Sequence, residues 1–273
     1  MARIIAISNQ KGGVGKTTTA INLATALAAC EKKVLVVDFD PQGNASTGFG
    51  VDKVSFTDNI YSLLMGDCSA QQACQKTLVP GLDIIPSTVH LSGAEIELVP
   101  AFSREYKLKN ALAPIADQYD YIFIDCPPSL GLLTINALVA ADEFIVPLQA
   151  EFFALEGISQ LLHTIKLVQG SLNDKLKLTG VLLTMVDRRN NLSGQVEDEV
   201  RAYFGNQVFD VTIPRNVRVS EAPSHGRPVI LYDTLCAGSR SYMTLAAELL
   251  RRSPTVPGTS RTVVMGQAER VAA

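Results

Sequence analysis

Lys11-Gly12-Gly13-Val14-Gly15-Lys16-Thr17-Thr18 is the stretch on which the reading of this chain turns. The apolar run RIIAIS (Arg3 to Ser8) precedes it, and a helical pattern, Thr17 to Ala29, follows. A strand that enters a glycine-rich turn and then a helix lets backbone N–H groups converge on phosphate oxygens, with the positive end of the helix dipole behind them. In such a loop Lys16 reaches the β- and γ-phosphates of a nucleotide, and the Thr17 hydroxyl ligates Mg²⁺. Gly12, Gly13, Val14, Gly15 and Thr18 complete the cradle. The usual spacing G-x-x-x-x-G-K-[ST] asks for glycine at the sixth position before the lysine. Gln10 stands there instead, and Lys11 adds a second cation at the start of the loop.

Further apolar runs follow at Val34 to Asp38, Leu82 to Pro86, Tyr121 to Asp125, Phe144 to Leu148 and Leu178 to Thr184. They are nearly continuous in Val, Ile, Leu and Phe, as expected of parallel strands covered on both faces. Helical patterns lie between several of them, at Arg104 to Asp117, Leu132 to Ala140 and Gly157 to Gln169. Strand and helix in alternation predict an α/β fold: a single-domain, doubly wound, mostly parallel sheet with helices on both faces, over residues 1–252. From Ser253 to Ala273 the chain is rich in Pro, Gly, Ser and Thr and reads as a flexible C-terminal tail.

Composition narrows the function. The 273 residues are 47% hydrophobic, which excludes disorder over most of the length. With 24 Lys plus Arg against 27 Asp plus Glu, the net charge of −3 at first argues against a nucleic-acid partner. Counting by region reverses that: residues 1–159 carry −7, residues 160–252 carry +3 and the tail carries +1. The basic part includes Arg188, Arg189, Arg215, Arg218, Arg227, Arg251 and Arg252, with no base-reading motif, a pattern suited to phosphate contacts or simply to a solvated surface. Five cysteines without a C-x-x-C pair suggest reduced thiols in a cytosolic protein, and His90, His163 and His225 are dispersed. No run approaches the ~20 apolar residues of a membrane span.

The motif KGGVGKTT resembles the deviant Walker A loop of the ParA/MinD family of P-loop ATPases. DFDPQGN (from Asp38), IDCPPSLG (from Ile124) and SEAPSHGRPV (from Ser220), in that order and spacing, are similar to the ParA/Soj partition branch over roughly residues 1–250. The resemblance implies ATP and Mg²⁺ as ligands and a homodimer that sandwiches two nucleotides, with Lys11 crossing to the partner subunit's ATP. It implies that Asp125 is the carboxylate near Mg²⁺, directly or through water. It implies that Asp40 positions or activates the attacking water, while Asp38 supports the loop and metal shell. Pro127, Pro128 and Gly131 match the segment that senses the γ-phosphate, and Pro214 and Asn216 match the loop over the adenine. The plainer reading of Asp125 is a cap on the following turn and that of Asp40 a turn residue before proline, and without the resemblance Pro214 is only a turn residue.

The resemblance further implies that the ATP dimer binds double-stranded DNA without sequence specificity, through Arg189 and Arg218. A ParB-type partner would stimulate hydrolysis, on the nucleoid and in the cytoplasm, with no membrane involved. The alternative is a MinD-like membrane-cycling ATPase, against which stands a tail without an amphipathic basic helix. A relative of the nitrogenase iron protein would need a second bridging cysteine beside Cys126, and none is evident. A metabolic P-loop ligase lacks any visible substrate motif.

Overall fold

Strands with no polar face require cover on both sides, and the computed structural model has that arrangement. It describes residues 2–52, 56–151, 154–187 and 189–252, the side chains of 154–157 and 159 excepted. Arg188 and the tail expected at 253–273 lie outside the described residues. The strands are β1 (Arg3–Ile7), β2 (Val34–Asp38), β3 (Gln75–Lys76), β4 (Leu82–Ile85), β5 (Tyr121–Asp125), β6 (Glu143–Gln149) and β7 (Lys177–Thr184). They form one sheet in the order β3-β4-β2-β5-β1-β6-β7, parallel throughout except that the short β3 runs antiparallel to β4.

The helices are α1 (Lys16–Ala29), α2 (Asn44–Gly48), α3 (Ile60–Met65), α4 (Ala70–Ala73), α5 (Leu91–Glu97), α6 (Lys107–Leu112), α7 (Leu132–Ala140), α8 (Ala154–Ser171), α9 (Asn191–Phe204), α10 (Val217–Glu221), α11 (Val229–Tyr232) and α12 (Ala237–Arg252). Alternate strand residues feed opposite layers. Ile5, Ile7, Val36 and Phe123 pack with Leu23 and Leu27 of α1 and Leu245 and Leu249 of α12. Ala6, Val37, Ile122 and Ile124 pack with Leu63, Leu108, Leu138 and Ile165 on the other face.

The helix expected over Arg104 to Asp117 is not continuous. A 3₁₀ turn at Arg104–Tyr106 leads into α6, which ends at Leu112, and a second 3₁₀ turn follows at Ala116–Gln118. Pro114 explains the break, because it has no N–H to donate and its ring clashes with the carbonyl of Asn110 four residues back. Two further helices carry patterns that the strand-by-strand reading of the sequence does not extract. In α9 the Asn190 side chain caps the first turn, and Val196, Val200 and Phe204 form its buried stripe. In α12 Tyr242, Leu245, Ala246 and Leu249 do the same.

Two features of the topology set up a site. The chain leaves β1 for β2, β4 and β3 on one side, then returns through β5 to reach β6 and β7 on the other, so a crevice opens at the carboxyl end of β1. The register also pairs Asp125 with Ile7 on β1 and with Asp38 on β2, bringing both carboxylates to that same end. Beyond β7, residues 208–215 run along its edge: Phe209 N donates to Val181 O at 3.0 Å and Ile213 N to Leu183 O at 2.9 Å. Glu248 of α12 anchors this segment from behind. Its carboxylate accepts from the backbone N–H of Asp210 (2.9 Å) and Val211 (3.1 Å) and from Arg252 (2.8 Å).

Glu248→Ala removes one member of a buried charge cluster, taking the carboxylate from Arg252 and the acceptor from two N–H groups. A loss of about 3 kcal/mol is expected, read as a lowered urea midpoint. Lys76→Ala, which takes an exposed ammonium from Asp83 and leaves that carboxylate its hydrogen bond from the Tyr119 hydroxyl, should stay within about 0.5 kcal/mol of wild type.

Candidate functional site

The loop between β1 and α1 is built from backbone freedom at two positions. Gly13 (φ +74°) and Gly15 (φ +91°) lie in the left-handed region, where a side chain would be strained. Gly15 is also the residue from which α1 starts. Side chains brace the loop from neighbouring strands. Asn9 accepts from the Lys11 N–H at 3.0 Å and donates to Pro147 O at 2.7 Å, while the Thr184 hydroxyl donates to Val14 O at 2.8 Å. Lys16 is buried and its ammonium donates to the Lys11 carbonyl at 3.1 Å, which arcs it across the loop mouth. Burial lowers its pKa, with Asp125 pulling the other way.

Below the loop, Asp38 and Asp125 are both fully buried and side by side. Asp38 accepts through Oδ2 from the Ser46 N–H (2.7 Å) and hydroxyl (2.6 Å), and Ser46 Oγ accepts from the Ser87 N–H at 3.0 Å. Burial still raises its pKa to about 6. Neither oxygen of Asp125 has a hydrogen-bond partner. Burial first, then the neighbouring Asp38, push its pKa well above the carboxylate range, and nearby Thr17 and Lys16 offset that only in part. A buried carboxyl with two unsatisfied oxygens beside a threonine hydroxyl fits a divalent cation and its water shell. Among the described residues no three His, Cys, Asp or Glu side chains cluster to hold a metal. A cation here would therefore need Thr17 and oxygens brought by a phosphate.

The sequence-predicted residues converge in two adjoining clefts. Gly12, Gly13, Gly15, Lys16, Thr17 and Thr18 line the first, with Asp40 and Pro128 across from them. Asp40 is buried and accepts from the Gln42 N–H at 2.9 Å, fixing the turn before α2. Gly15 and Thr18 are shared with the second cleft, whose far wall holds Ile213, Pro214 and Asn216. A flat, largely apolar ring could lie there. The Oδ1 of Asn216 caps α10 by accepting from the N–H of Arg218 and Val219, which leaves Nδ2 as its other polar side-chain atom.

Arg189 and Arg218 stand apart from these clefts. Arg189, with Arg215, lines a shallow surface cleft and forms a two-pronged pair with Asp187 at 2.9 and 2.8 Å. Arg189 holds the Asp187 carboxyl down at about 2. Arg218 pairs with Glu221 at 3.0 Å and lies 3.5 Å from Asp233. Cys126 is fully buried, and burial raises its thiol far above the ordinary range, so it is an inert packing residue.

Met185 lines both clefts, and sequence reasoning misses it. Its φ of +51° is strained for a non-glycine residue, and strain of that kind concentrates at functional sites. Nothing in a lone methionine after a strand signals it. Tyr242, behind the second cleft and 3.4 Å from the Thr19 hydroxyl, is equally silent in the sequence.

Comparison with known proteins agrees with this geometry. A family model described as an AAA domain matches residues 2–178. The chain is 58% identical over 252 residues to the chromosome partitioning protein ParA of Caulobacter vibrioides, covering 92% of this chain and 94% of that one. It is 56% identical to the sporulation initiation inhibitor protein Soj of Bacillus subtilis, covering 91% and 98%. Among solved structures, cobyrinic acid a,c-diamide synthase of Mycobacterium smegmatis with bound ADP and magnesium superposes with a TM-score of 0.81 at 38% identity, covering 92% and 95%. The chain belongs to this AAA-domain family of P-loop ATPases, and within it to the ParA/Soj group of chromosome partitioning proteins.

Proposed function

We propose that this protein binds ATP with Mg²⁺, dimerises around it, holds double-stranded DNA without sequence preference, and hydrolyses the ATP to segregate chromosome or plasmid DNA with a ParB-type partner. The observation that carries the reading is the Asp125 carboxyl, buried with both oxygens unsatisfied beside Thr17 and Lys16. The likeness to partition proteins extends it from an ATPase to DNA segregation. A match over 252 of 273 residues necessarily includes positions 189 and 218.

In this reading the loop N–H groups and Lys16 hold the β- and γ-phosphates, Thr17 and Asp125 hold the metal side, and Pro214 and Asn216 cover the adenine. Magnesium, when bound, neutralises charge on the phosphoryl oxygens and fixes their orientation. Asp40 orients a water in line with the γ-phosphate, and the P–O bond to ADP breaks as the water's oxygen bonds to phosphorus. Lys11 from the partner subunit counters charge on the departing phosphate. Arg189 and Arg218 exchange their carboxylate partners for DNA phosphates, an exchange each exposed pair opposes only weakly. Dimerisation doubles the basic surface offered to DNA, so the ATP state binds DNA and the ADP monomer does not.

Lys16→Ala is expected to weaken ATP binding by about 100-fold, in a fluorescent-nucleotide titration. Asp40→Ala should slow hydrolysis by about 100-fold or more while leaving an ATP dimer that co-sediments with random-sequence DNA. Arg189→Ala should dimerise normally yet lower the salt slope of DNA binding by about 2, because each subunit of the dimer then neutralises one phosphate fewer. Equal DNA binding with ATP and ADP, or none with either, would overturn the partition reading.

A further inference from the structure

Glu151 lies two residues beyond the last residue of β6, Gln149, and its carboxylate reaches back to the phosphate loop. Oε2 is 3.2 Å from the Lys11 ammonium, and Oε1 accepts from the Gln149 side-chain amide, so the carboxylate is held from both sides. The Lys11 backbone is itself fixed through Asn9 to Pro147 on β6, which makes the loop mouth and the end of β6 one rigid unit. The two lysines of the loop are thus turned in opposite directions. Lys16 folds inward onto the Lys11 carbonyl, and Lys11 points outward to a carboxylate of its own subunit. The Lys11 side chain remains 40% exposed and that of Glu151 49%, so both are accessible to an approaching charged group.

We infer that Glu151 is a positioning residue for Lys11 and acts as a latch on subunit association. The inference rests on the proposed function, in which Lys11 serves the partner's nucleotide. An ammonium paired with a carboxylate presents little net charge to a third group, so each Lys11 must leave Glu151 before it can bridge to a phosphate. A phosphate chain carrying the terminal γ-group competes for that ammonium better than one without it, and the latch therefore favours ATP over ADP as the trigger. A half-exposed pair of this kind is worth about threefold in an equilibrium constant. Two latches open per dimer, so the dimerisation constant carries the factor twice, about tenfold in all.

The test uses the full chain with a non-hydrolysable ATP analogue and Mg²⁺, in sedimentation velocity over a concentration series. Glu151→Gln and Glu151→Ala are expected to tighten the dimer Kd by about tenfold at low salt, with the gap to wild type closing as salt screens the pair. In a Lys11→Ala background the Glu151→Gln change should have no effect, because the latch then has nothing to hold. Unchanged or weaker dimers in the single variants would overturn the latch. So would a tightening that persists in the Lys11→Ala background, which would mean that Glu151 merely repels phosphate. A wild-type chain that stays monomeric with the analogue would instead bring down the partition reading on which the latch rests. Equal ADP affinity, together with a folding constant in urea lowered by no more than about the threefold the pair is worth, reports that the fold and the nucleotide pocket are intact in the Glu151 variants.

Discussion

Asp38 and Asp125 end neighbouring strands, fully buried and adjacent, and the rest of the site is arranged around that crowding of negative charge. Two carboxylates out of water are tolerable only where hydrogen bonds, a cation or a proton compensates them. Asp38 is compensated at Oδ2 by Ser46, whose hydroxyl in turn is held by Ser87 on the loop after β4, while its Oδ1 has no partner. Asp125 has no well-aligned partner, only the neighbouring Thr17 hydroxyl, and it faces the loop whose backbone is shaped to carry phosphate. The parallel register of β1, β5 and β2 is what forces this meeting. A one-residue slip in β5 would send Asp125 to the opposite face and dismantle the site without touching a single loop residue.

What can be read in the linear chain is whatever short range encodes. The phosphate loop is legible because two left-handed glycines, a lysine and a hydroxyl fall within a few residues between a strand and a helix. Asp125 is legible because an unbroken apolar strand ends on it. Long-range partnerships are not. Glu248 fixes the Pro214 segment from nearly forty residues away, and Glu151 meets Lys11 across 140 residues of chain. The helix expected over Arg104 to Asp117 fails on Pro114, a local signal that periodicity outweighs. Met185 owes its place to a backbone angle, which no side-chain pattern reports.

Regional charge counting does not report how the basic side chains are spent. The excess of basic residues after position 159 is real, yet its two most relevant arginines each face a carboxylate supplied within the same region. Under the proposed function, DNA phosphate is taken up by exchange rather than by filling a vacant positive patch. Exchange makes each interaction weak and leaves affinity to how many form at once, which suits a surface that must attach and let go.

The burial of α1 carries one more consequence. Packed between the sheet and α12, with Asn22 tied both to Thr18 and to the start of α11, this helix is held by neighbours over its length. The phosphate loop opens directly into it and so inherits its stiffness. Of the walls around the crevice, this one is stationary. A difference between a triphosphate and a diphosphate would then have to be read by the residues across the cleft, the Asp40 turn and Pro128, which α1 does not carry.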